Sequence, residues 1–238
     1  MVDVDVLVRP WHRSKVDELL RAAGYERLEA VGRPATDTEH YEWCYRRIGS
    51  IPIHLEVHAW FCYPREFNID YEGVWARAET HVTPHRPVPT LCAEDSLLYV
   101  SLHEGGHSFH LDLRSSEDIR RIVEKWRPQW TVVVQRAKQW GMRSTLYASL
   151  TCAAHHRTDV PPDVLSQLRP RPLRLAALKW LVDLDGSGRA RAARRSRWLQ
   201  LLTKIVLVER PWNLTSSLAA YTWLRARDLV LARSVVHR

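Results

Sequence analysis

The chain has 238 residues, 45% of them hydrophobic and 26% charged, with a formal net charge of +8. That length buries a real core, as one large domain or two small ones, and the composition excludes a disordered chain. The positive balance favours acidic partners, nucleotides above all and nucleic acid more weakly; arginines on solvated helix faces are the alternative.

Cys44, Cys62, Cys92 and Cys152 are widely spaced and form no C-x-x-C pair. This excludes a zinc ribbon or a disulfide scaffold and fits a reducing compartment. No apolar leader opens the sequence, and no window reaches the roughly 18 uncharged apolar residues that span a bilayer. A cytoplasmic protein with no membrane partner is expected.

In chain order, Val2 to Val8 alternates strictly, with Val2, Val4, Val6 and Val8 on one face and Asp3, Asp5 and Leu7 on the other. That is a period-two strand. Ser14 is placed to cap a helix with Asp17 at the capping-box position and Val16, Leu19 and Leu20 inward, and Gly24 ends it. His40 to Ile48 reads as a second strand, followed by a Gly49-Ser50 turn. Ile51 to Phe61 reads as a third, with Ile51, Ile53, Leu55 and Val57 on one face and His54, Glu56 and His58 on the other. Residues 62–90 are rich in Pro and aromatics and lack periodicity, so a long irregular connection is expected, of the kind that often carries function. Helical periods then recur at about 95–110, 116–126, 128–140, 143–156, 172–182, 190–208 and 214–235, punctuated by Pro128, Pro161-Pro162, Pro172 and Pro211. The fold class is therefore α+β: a small mixed sheet with its helix over 1–90, then a helical region over 91–238.

Asp3 and Asp5 sit on one strand face, about 6.6 Å apart along the chain at the usual rise. Carboxylates so spaced converge on divalent ions, and two-metal phosphoryl-transfer sites hold ions about 3.5–4 Å apart between shared acids. Glu56 is placed by pattern to add a third acid. The alternative is a polar sheet face turned to water, which antiparallel sheets commonly show.

These residues also carry a resemblance. Asp3-Val-Asp5-Val-Leu-Val8, the helix ending at Gly24-Tyr25, Ile53-His-Leu-Glu56-Val-His58 and Leu91-Cys-Ala-Glu94-Asp95 to His103 occur in one order, followed by His107, Asp118 and the segment Trp130 to Ala153. In that order they resemble an uncharacterised nucleotidyltransferase family related to the minimal nucleotidyltransferases, over roughly residues 1–165. The resemblance implies a nucleotidyltransferase-like core that moves a nucleotidyl group from an NTP such as ATP to an acceptor, a small molecule or a protein. It implies Asp3, Asp5 and Glu56 as catalytic and metal-holding acids and Mg²⁺ or Mn²⁺ as the ion. His58, Arg77, His103 and His107 are the candidates for the substrate cleft, expected between the sheet and the helices. The superfamily places a helix and a phosphate-holding Gly-Ser loop before the Asp-x-Asp strand, whereas this sequence begins at Met1 directly before it. Two expectations follow: the true start lies upstream of Met1, or this is a shortened, inactive member; the chain is accordingly an enzyme, or a non-catalytic nucleotide- or partner-binding protein of the same fold. The family also tends to Asp-Trp where this chain has Gln129-Trp130.

Three other motifs compete. His103-Glu-Gly-Gly-His107 matches H-E-x-x-H, which on a helix gives two zinc ligands and a base, Glu104, with His110 or a distant acid as third ligand. That third reading is a zinc metalloprotease; otherwise the histidines line the cleft or pack the helix. The two glycines weaken such a helix by roughly 1 kcal/mol each. Asp183-Leu-Asp185-Gly-Ser187-Gly188 copies the start of a calcium loop, but Arg194 stands where the closing Glu belongs, so a turn is expected. Arg189, Arg191, Arg194, Arg195 and Arg197 form a basic cluster, read as a solvated face or an anion contact. Arg13 and Lys15 follow the first strand and, like Arg77, reach either phosphates or surface acids.

Overall fold

The computed structural model describes residues 3–28, 41–49, 52–106, 113–182, 197–216 and 219. By internal contacts the chain divides into one unit of Met1–Arg65 with Thr215–Arg238 and a second of Glu66–Leu214.

The first unit holds strands β1 (Asp3–Leu7), β2 (Glu26–Arg27), β3 (Glu42–Arg47) and β4 (Ile53–His58) in the order β1-β4-β3-β2. β1 runs parallel to β4, while β4–β3 and β3–β2 are antiparallel, so the sheet is mixed as expected. Helix α1 (Arg13–Ala22) follows a single 3₁₀ turn, Pro10–His12. Ser14 is not its cap: the helix begins one residue earlier, directly from that turn, and its N-cap makes no side-chain hydrogen bond. Gly24 does end it. Its φ of +81° is the left-handed conformation that glycine adopts without a Cβ penalty. The Tyr25 and Gly24 amides then reach back to the Leu20 and Arg21 carbonyls at 2.9 and 3.0 Å, closing a Schellman cap.

Asp17 has a different task from the one its spacing suggested. Its Oδ1 accepts from the Tyr45 hydroxyl at 2.7 Å, and its Oδ2 from Arg21 Nε at 2.8 Å. Tyr45 is buried on β3, so this bond fastens α1 to the sheet. Burial pushes the Asp17 carboxyl up, but the Tyr45 and Arg21 donors outweigh it and hold it below the usual carboxylate range. Burial and the Asp17 bond raise the Tyr45 phenol. The Arg13 guanidinium carbon lies 3.3 Å from the ring centre of Trp43 on the same strand, a cation–π contact.

The second unit corrects the reading of 62–90. This stretch contains helix α2 (Tyr71–Ala76) and a hairpin of β5 (Glu79–Val82) and β6 (Pro87–Thr90). Asp70 caps α2, accepting from the Gly73 amide at 2.9 Å. Pro87 and Pro89 sit two apart on one edge of β6, so Val88 and Thr90 keep their amides for the ladder. Helices α3 (Ala93–Gly106), α4 (Leu113–Arg121), α5 (Trp130–Trp140), α6 (Arg143–His155), α7 (Pro162–Leu168), α8 (Pro172–Leu181) and α9 (Arg197–Leu207) follow. α7 was not anticipated: Pro162 occupies its first turn, where a missing amide costs nothing, and so starts a helix where it seemed only to punctuate. α3 packs on α4, α5, α6 and α9, and Leu97, Leu98, Leu146, Leu150 and Leu178 are fully buried. The calcium-like loop, the arginines 189–195, His107, His110 and most of the expected 214–235 helix lie outside the described residues.

Tyr45→Phe tests the α1 fastening. Urea denaturation is expected to show a loss of about 1 kcal/mol with unchanged far-UV circular dichroism. Because Asp17 holds its charge below the usual range, that difference is present above the ordinary carboxylate pKa and shrinks as pH falls through the lowered value.

Candidate functional site

The acids converge because of register. In the parallel pair, Asp3 lies opposite His54 and Asp5 opposite Glu56. Facing residues of adjacent strands point to the same side of a sheet, so Asp5 and Glu56 share a face. β3 adds Glu42, Cys44 and Arg46 to that face, opposite His58, Glu56 and His54. The other face carries Tyr45 and α1, so the helix leaves the acidic side uncovered by its own contacts.

His58 enters this group more closely than its pattern indicated. Its side chain is 2% exposed, and its Nε2 stands 3.4 Å from Asp5 Oδ1 and 3.7 Å from Glu56 Oε2. Asp5 is 38% exposed and Glu56 25%, so the imidazole forms the floor and the carboxylates the open rim. One ligand atom from each of Asp5, Glu56 and His58 lies within 4.8 Å of the others, an arrangement able to hold a metal ion. Burial by itself would lower the His58 pKa. The two adjacent carboxylates and the charge of Glu42 outweigh it, and the imidazole is pushed up to about 9. The protonated ring therefore stands as a cation between two acids that would otherwise repel. Glu56 Oε1, the oxygen away from His58, takes the Cys44 thiol at 3.9 Å. The i, i+2 spacing of Glu56 and His58 was visible in sequence, whereas Cys44 needed the strand register.

The remaining candidates have other surroundings. Arg77 caps the C-terminal end of α2, and its Nε donates to Asp95 Oδ2 at 3.1 Å. Arg136 Nη1 donates to the other oxygen of Asp95 at 2.6 Å, and Asp95 is fully buried on α3. Two guanidiniums thus share one carboxylate inside the second unit. Lys15 pairs with Glu18 at 3.2 Å on the surface. Gln129 precedes α5 without a side-chain cap of its own; instead Glu94 Oε1 accepts from the Gln129 amide at 2.9 Å. A carboxylate from α3 thereby serves the start of α5.

The helix over His103-Glu-Gly-Gly runs through both glycines, since neighbours on α4, α5 and α6 support it. His103 is half-buried beside Tyr99, with ring centres 6.0 Å apart. Glu104 is 2% exposed and accepts from Ser149 Oγ at 2.5 Å. A base for a metal-bound water must face an open site, and this carboxyl faces the helical core, which removes the support for a zinc protease. Burial pushes Glu104 up to about 7, against the opposing effect of the Ser149 donor. The native state then keeps a proton that the unfolded chain releases from its ordinary value of 4.5. Stability from this group therefore falls as pH rises from about 4.5 to about 7. Denaturation midpoints of Glu104→Gln and the parent should diverge across that window, the variant gaining relatively with pH; parallel curves would contradict the buried acid.

The model of a family described as an uncharacterised nucleotidyltransferase matches residues 1–158. No curated protein and no solved structure matches the chain. Among the described residues no helix is long and apolar enough to cross a membrane.

Proposed function

The chain belongs to the uncharacterised nucleotidyltransferase family, and on that premise we propose that it transfers a nucleotidyl group from an NTP to an acceptor hydroxyl or amine. The observation that carries this reading is the facing of Asp5 and Glu56 across parallel strands, with donor atoms within 4.8 Å of one another and of His58. Asp3 belongs to the set by its place two residues before Asp5 on the same strand.

The donor set fits a divalent cation, Mg²⁺ or Mn²⁺ by family resemblance: two carboxylates from a rigid sheet, one of them well exposed, leave room for water and phosphate oxygens. Such an ion supplies charge stabilisation to phosphoryl oxygens during in-line displacement. The protein's own part is placement. Asp5 and Glu56 are fixed by the sheet ladder; the acceptor oxygen or nitrogen would bond to the α-phosphorus as the bond from that phosphorus to the bridging oxygen breaks, pyrophosphate would leave, and the acceptor's proton would pass to the Asp5 carboxylate. His58 holds the two acids in orientation from below. The acceptor, a small molecule or a protein, binds on the open side of these acids.

Thermal shift with each NTP and a divalent metal tests the reading. At ligand one hundred times its Kd, binding adds about 2.7 kcal/mol to stability. That gain is expected for the parent and lost in Asp5→Asn/Glu56→Gln. A gain retained in the double variant means the nucleotide is held by other residues, which is the non-catalytic binding reading. No gain with any NTP overturns the proposal.

A further inference from the structure

We propose that the ion of this site is a divalent transition metal of the Mn²⁺–Zn²⁺ class, taken in preference to Mg²⁺ because His58 Nε2 is one of its ligands. The inference uses the carboxylates of the transferase reading and rests on that reading for its location.

The geometry argues for shared ligation. Nε2 lies 3.4 Å from Asp5 Oδ1 and 3.7 Å from Glu56 Oε2. Bonds of about 2.1 Å put two ligand atoms about 3.4 Å apart at the tetrahedral angle of Zn²⁺ and about 3.0 Å apart at the right angle of octahedral Mn²⁺, so a side-chain shift of less than an ångström closes the site on either ion. The oxygens concerned are the ones turned toward the ring: Cys44 takes the other oxygen of Glu56. His58 is also fixed in place. It is 2% exposed, its carbonyl accepts from the Val8 amide at 2.8 Å, and Tyr41 stands beside the ring with centres 6.1 Å apart. The entering ion would displace the Nε2 proton of His58 to solvent and take over the positive charge that this proton supplies between the two acids in the metal-free site.

The donor chemistry then selects the ion. Mg²⁺ takes oxygen ligands, keeps its waters and demands a near-ideal octahedron. Imidazole nitrogen suits Zn²⁺ and its neighbours, and carboxylate suits Mn²⁺. One nitrogen with two carboxylates is a mixed set that Mg²⁺ uses poorly and Mn²⁺, Co²⁺ and Zn²⁺ use well.

The full chain, stripped of metal with a chelator, would be titrated calorimetrically with Mn²⁺, Zn²⁺ and Mg²⁺ separately, without nucleotide. Mn²⁺ is expected to bind about tenfold or more tightly than Mg²⁺. Electron spin-echo modulation of bound Mn²⁺ should show a coupled nitrogen in the parent and in His54→Gln, and none in His58→Gln. Equal affinity for Mg²⁺ and Mn²⁺, bound Mn²⁺ without nitrogen coupling, or coupling that survives His58→Gln overturns the inference. If His58→Gln does not fold, the parent's affinity ratio and nitrogen coupling decide it, with His54→Gln excluding the other histidine on that face. Metal binding with these marks but no stabilisation by any NTP would remove the transferase reading and leave the metal assignment standing.

Discussion

The parallel pairing of β1 with β4 is the constraint on which the site depends. Each acid alone is an ordinary surface carboxylate. Opposed at one register position, Asp5 and Glu56 become a pair with a shared field. Like charges facing across strands destabilise a sheet, so the pairing needs a compensating cation, and buried His58 supplies one from the adjacent turn of the pleat. The arrangement has no slack. A slip of one residue would turn Asp5 to the other face and bring Val4 or Val6 opposite Glu56.

A second fastening lies on the reverse side of the sheet. Tyr45 and Cys44 are neighbours on β3 and point opposite ways. Tyr45 takes α1 through Asp17, and Cys44 meets Glu56. One strand thus sets the position of the helix behind the sheet and of an acid in front of it. The long chain between β1 and β4, through α1, β2 and β3, is what a parallel pair needs in any case.

Much of this was readable from residues alone. Strict alternation in β1 and β4 gave both strands and the shared face of Asp3 and Asp5. Order of motifs gave the family. What alternation cannot give is the phase between strands, because each strand's pattern survives a shift along its neighbour. Alternation therefore places His58 on the acidic face of its own strand, but only the register brings it to Asp5 and Cys44 to Glu56. The stretch 62–90 looked irregular for a different reason. Its elements are short, mostly exposed and interrupted by prolines, so neither period had room to show. Arg77, expected to reach either phosphates or surface acids, donates to Asp95, an acid whose burial no local pattern announces. The H-E-x-x-H string was legible as text and misleading as chemistry: Glu104 shows its side chain to Ser149, a partner 45 residues away in the chain.

The Asp95 arrangement also restricts how this sequence can change. Arg77 and Arg136 lean on one buried acid from two different elements. Loss of either arginine leaves an ordinary pair behind. Arg77 keeps a second acid, Asp70, at 3.9 Å and is 32% exposed, so loss of Asp95 strands chiefly Arg136, which is 12% exposed, and stranding a buried charge is far costlier than deleting a pair whole. Position 95 is therefore tied to position 136 more tightly than to position 77.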